Sequence, residues 1–113
     1  MAEIVRALSI FFLAGLAEIG GGWLVWQWLR AGQSAWYGAS GALVLFLYGI
    51  LPTLQREAEF GRVYAAYGGL FILMALLWGW WVDGWRPDFF DWLGASIAVA
   101  GIVVLLWGRN WFA

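Results

Sequence analysis

The chain has 113 residues, of which 65% are hydrophobic and 12% charged, with a formal net charge of -1. A soluble domain of this size could not bury that much apolar surface, so composition places the chain among integral membrane proteins. It has no lysine and no arginine cluster to grip phosphates, which sets nucleic-acid partners aside. With no Cys and no His, disulfides, zinc sites, haem ligation and imidazole relays are excluded. No cofactor and no enzymatic activity are expected, and any chemistry must use carboxylate, phenol, indole, guanidinium or hydroxyl groups.

Four apolar segments alternate with three short polar breaks. The pattern predicts an all-α integral membrane fold, one domain over 1–113, with transmembrane helices at about 4–29, 35–54, 63–82 and 89–107. Each helix is long enough, or nearly so, to cross a hydrocarbon core ~30 Å thick. The first run exceeds the ~7–15 residues of a signal-peptide core and lacks a clear cleavage site, so it reads as a spanning helix. No soluble domain is expected outside the bilayer, and membrane lipid is the first expected partner.

Helix one carries Glu18 in a run that is otherwise free of ionisable groups between Arg6 and Arg30. Each arginine is twelve residues from the acid, about 18 Å along the axis, so neither neutralises it within the helix. With those arginines in opposite headgroup layers, Glu18 falls near the bilayer midplane. A charged acid there costs ~2.5–3.5 kcal/mol on insertion scales, and intramembrane acids mark functional sites. Low dielectric disfavours the charged form, so such a carboxyl can hold a proton and release it for a cationic ligand. The structural alternative is an interhelical hydrogen bond, which Gln would make more cheaply. Ala14 and Gly22 share the Glu18 stripe and leave space around it, and Gly20-Gly21-Gly22 invites close packing or a hinge.

Helix two has a small-residue patch, Gly38 to Ala42, that includes Ser40, with Tyr48 further in; it is expected to line or pack a cavity. Pro52 sits in its last turn, where a missing donor near the interface is tolerable. The second break, Gln55 to Arg62, holds the densest charge and reads as a solvated loop, in which Arg62 could meet Glu57 or Glu59. Helix three opens with Tyr64 and Tyr67 on one face, continued by Phe71. Phenols inside a bundle can donate to a carboxylate and face a cation, or form a packing stripe. Helix four has no ionisable group between Asp91 and Arg109, and Gly94, Ala98 and Gly101 make a groove suited to helix association, within the bundle or between subunits.

Most of the eleven tryptophans are placed as interfacial anchors. Trp23 and Trp26 lie deeper and are left for a pocket. Arg6, Arg56, Arg62 and Arg109 fall on one side and Arg30 and Arg86 on the other, a bias that places both termini in the cytoplasm yet is small enough to permit insertion both ways.

The strings Leu16-Ala17-Glu18-Ile19, Gly61-Arg62-Val63-Tyr64-Ala65-Ala66-Tyr67-Gly68-Gly69, Val82-Asp83-Gly84 and Asp91-Trp92-Leu93-Gly94-Ala95 resemble the YnfA-like family of small bacterial membrane proteins, over nearly the whole chain. That resemblance implies a multi-pass protein of the bacterial plasma (inner) membrane. More distantly, the pattern is similar to the small multidrug resistance transporters of the drug and metabolite transporter superfamily. By that resemblance Ala17-Glu18 would hold the shared proton and substrate site, Tyr64 and Tyr67 would frame it, and Gly94 and Gly101 would join two subunits into an antiparallel homodimer. The guanidinium-exporting branch usually carries Trp three residues after the glutamate, where this chain has Gly21, and helix two has no assigned counterpart to the family's aromatic contact.

The function expected from these features is proton-coupled export of a cationic or polyaromatic small molecule through a dimeric pocket lined by Glu18. Gly22, Trp26, Ser40, Tyr48 and Phe71 are the further pocket candidates. Two other classes stay open: a passive channel of dual-topology type, and a non-transporting subunit of a larger membrane assembly.

Overall fold

The computed structural model describes residues 2–56 and 59–112. Among these, helix α1 spans Ala2–Leu29, α2 Ala35–Ile50, α3 Phe60–Trp81 and α4 Phe89–Trp107; short 3-10 turns follow α2 at Leu51–Leu54 and α4 at Gly108–Asn110. With their 3-10 extensions, the four helical segments run to 28, 20, 22 and 22 residues, long and apolar enough to cross a membrane. The expected bounds shift by two or three residues at the starts of α1 and α3. Helix α2 changes at Leu51 because Pro52 has no N–H to continue the ladder, and the chain tightens into the 3-10 turn instead.

The helices form two hairpins, residues 1–56 and 57–113, each described by itself. In the first, α1 and α2 approach closely where glycine faces glycine. A Cβ on Gly41 would stand 2.8 Å from the Gly21 carbonyl oxygen, and one on Gly21 would stand 2.7 Å from Leu45 Cγ. One turn before Gly41, the absence of a side chain on Gly38 admits the Trp28 indole. Small residues let the backbones meet, which is how membrane helices gain dispersion contact without a hydrophobic driving force. At the far end, Gln55 Nε2 donates to the Ala7 carbonyl oxygen at 3.2 Å and Arg56 pairs with Glu3 at 2.5 Å.

The second hairpin repeats the device once. Gly69 of α3 accepts Ile102 of α4 against its backbone, and a Cβ there would lie 3.2 Å from the Ala98 carbonyl oxygen. Both hairpins turn on a left-handed glycine, Gly32 with φ +75° and Gly84 with φ +73°. In each case an N–H just past the glycine reaches back across the last turn: Gln33 N to Gln27 O at 3.0 Å, and Trp85 N to Gly79 O at 2.9 Å. This satisfies carbonyls that a helix end leaves open. Helix α4 starts on a reciprocal cap, in which Asp91 N donates to Asp88 Oδ1 at 2.9 Å and Asp88 N donates to Asp91 Oδ2 at 2.8 Å.

Candidate functional site

Glu18 lies on the buried face of α1, between Ala14 and Gly15 one turn before and Gly21 one turn after. Its side chain is half-buried. Taking about 100° per residue, Glu18 is offset by about 60° from Gly21, which packs on α2, and sits on the side of Gly22. Nothing lies within 4 Å of where a Gly22 Cβ would be. The carboxylate thus stands at the edge of the α1–α2 seam with open space one turn away. Among the described residues it has no hydrogen bond or ion pair in this structure. The glycine run does not break α1, which is continuous through residues 20–22.

The position where the guanidinium-exporting branch carries Trp is occupied for a packing reason. Gly21 is buried against Leu45 and Gly41, so an indole there would force the first hairpin apart. Trp26 ends up toward the end of α1, 55% exposed, with the Arg30 guanidinium carbon 4.7 Å over its ring. It is eight residues beyond Glu18, about 12 Å along the axis. On α2, Ser40 is exposed and Tyr48 half-buried. Tyr48 is about 20° from Gly41 on the helical wheel, while Ser40 is about a quarter turn away.

The second hairpin brings the helix-three candidates together. Tyr64 and Tyr67 have ring centroids 6.2 Å apart, and Tyr67 and Phe71 are 5.4 Å apart. Phe60 extends the ladder, its ring tilted against that of Tyr64 with centroids 4.3 Å apart. By sequence it falls in the charged break from Gln55 to Arg62, although its spacing of four from Tyr64 is a helical signal. Tyr67 is 1% exposed and forms the buried centre of the ladder; Tyr64 and Phe71 are half-buried. On α4, Gly94 and Gly101 are exposed with nothing within 4 Å of an added Cβ. The backbone of Ala98, between them on the stripe, meets Gly69. Of the two expected partners of Arg62, Glu57 lies outside the described residues, and Glu59 lines the same cavity as Arg62.

Residues 4–110 match the family described as uncharacterised BCR, YnfA/UPF0060. The chain belongs to the YnfA/UPF0060 family. A UPF0060 membrane protein of Desulfitobacterium hafniense is 60% identical over 104 residues, covering 92% of this chain and 96% of the relative. The UPF0060 membrane protein YfjF of Bacillus subtilis is 60% identical over 99 residues, covering 88% and 91%. One from Herpetosiphon aurantiacus is 54% identical over 109 residues, covering 95% and 99%. No solved structure matches the chain. Family membership and four span-capable helices make this a multi-pass membrane protein.

Proposed function

We propose that the protein is a small secondary transporter that exchanges protons for a cationic or polyaromatic substrate at Glu18. The observation that carries this reading is a half-buried carboxylate midway along a spanning helix, with no protein partner among the described residues and open space at Gly22. An acid in that setting is worth its insertion cost when its proton and a cation compete for one site. Tyr64 and Tyr67 on the second hairpin carry phenols and ring faces of a kind suited to an aromatic cation; Trp26, Ser40 and Tyr48 on the first hairpin and Phe71 on the second are further candidates.

Two copies, associated through the open Gly94 and Gly101 positions of α4 with Ala98 between them, would provide eight helices and two Glu18 carboxylates around one cavity. Their titrations would couple, so apparent pKa values would belong to the pair. The small arginine bias, four on one side against two on the other, is compatible with an antiparallel arrangement by dual insertion. Ethidium, a planar aromatic cation, tests the site directly: added to purified protein in weakly buffered detergent, it should release protons, and Glu18→Gln should release none. Equal proton release by both proteins would contradict the assignment.

A further inference from the structure

We propose that a cavity at the base of the second hairpin binds the headgroup of an anionic phospholipid. It is an open groove with a volume of about 590 Å³, lined among the described residues by Glu59, Gly61, Arg62, Ala65, Leu105 and Arg109. That size falls within the ~300–1,000 Å³ of small-ligand sites. Arg62 is in the first turn of α3, and Arg109 is in the 3-10 turn that follows α4. The helices are antiparallel, so two residues far apart in sequence reach one end of the hairpin.

That end carries the marks of a headgroup layer. Trp107 and Trp111 are 52% and 56% exposed there, and exposed indoles at a helix end sit at the membrane–water interface. The lining combines two guanidinium groups with apolar Leu105 and Ala65, which suits a phosphodiester joined to acyl chains. Guanidinium binds phosphate through paired N–H donors. Among the described residues the lining holds two arginines and one glutamate, a donor set that favours an anionic headgroup over a zwitterionic one. Basic pockets between membrane helices hold anionic headgroups by this logic. Arg109 also donates to the Leu106 carbonyl oxygen at 3.3 Å through Nη1, which keeps its side chain along the end of α4. Glu59 opposes the phosphate and limits how tightly it is held.

The test is native mass spectrometry of the purified full-length chain, released from detergent containing equal amounts of phosphatidylglycerol and phosphatidylcholine. The wild type should retain phosphatidylglycerol in preference. Each of Arg62→Gln and Arg109→Gln should lower that retention about fivefold, Glu59→Gln should raise it, and an Arg62→Lys, Arg109→Lys double variant should fall between. Equal retention of the two lipids by the wild type would overturn the proposal without reference to any variant. So would unchanged phosphatidylglycerol retention in the double glutamine variant, or its complete displacement by an equal concentration of soluble glycerol phosphate.

Discussion

Gly21 and Gly41 stand back to back across the first hairpin, so close that a Cβ on Gly41 would lie 2.8 Å from the Gly21 carbonyl oxygen. The obstacle is backbone, which cannot rotate away as a side chain can. Gly41→Ala should therefore destabilise the hairpin by roughly 1–3 kcal/mol, the usual range for overpacking, read as an earlier unfolding midpoint in SDS titration.

Gly22, the next residue, should behave differently, because nothing lies within 4 Å of its added Cβ. Gly22→Ala should leave the unfolding midpoint at or above the wild-type value, since Ala is the better helix former. Gly22→Trp should also fold, yet lower ethidium transport by filling the space beside Glu18.

The Gly69 contact in the second hairpin involves a flexible partner. Ile102 Cγ1 would lie 2.5 Å from a Gly69 Cβ, and removing that side chain makes room. Gly69→Ala should destabilise, and Ile102→Ala in the same protein should cost less than it does alone. A double-mutant cycle measures this coupling, and neighbours in contact usually show ~0.5–3 kcal/mol.

The start of α4 depends on the reciprocal cap of Asp88 and Asp91. Asp88→Ala should cost about 1 kcal/mol and Asp88→Asn less, because Asn retains the acceptor. By contrast, the Glu3–Arg56 pair is 62% and 69% exposed at its side chains. Its coupling energy should fall at the low end of the ~0–1 kcal/mol seen for surface pairs and shrink further with added salt.

The four helices were legible because runs of apolar residues too long for a soluble core have one stable form in a bilayer. Their ends were legible to within a few residues at Gly32, Gly84 and Asp88, where the local chemistry requires a turn or a cap. Which glycine of Gly20-Gly21-Gly22 meets another helix was not legible, since spacing within α1 carries no information about the register of α2. The same limit hid the cavity with Arg62 and Arg109: each arginine reads singly as a loop charge, and only antiparallel pairing brings them together. Phe60 was missed for a smaller reason. The charged residues before it suggested a loop, although the four-residue spacing to Tyr64 already marked the face that it joins.

Glu18 is the centre of the proposed mechanism, and the most direct measurement is ethidium flux in proteoliposomes across an imposed pH gradient. The wild type should move ethidium against the proton flow, at a rate set by the gradient. Glu18→Gln should abolish the gradient-driven component while folding normally. Undiminished proton-coupled flux in Glu18→Gln would contradict the account.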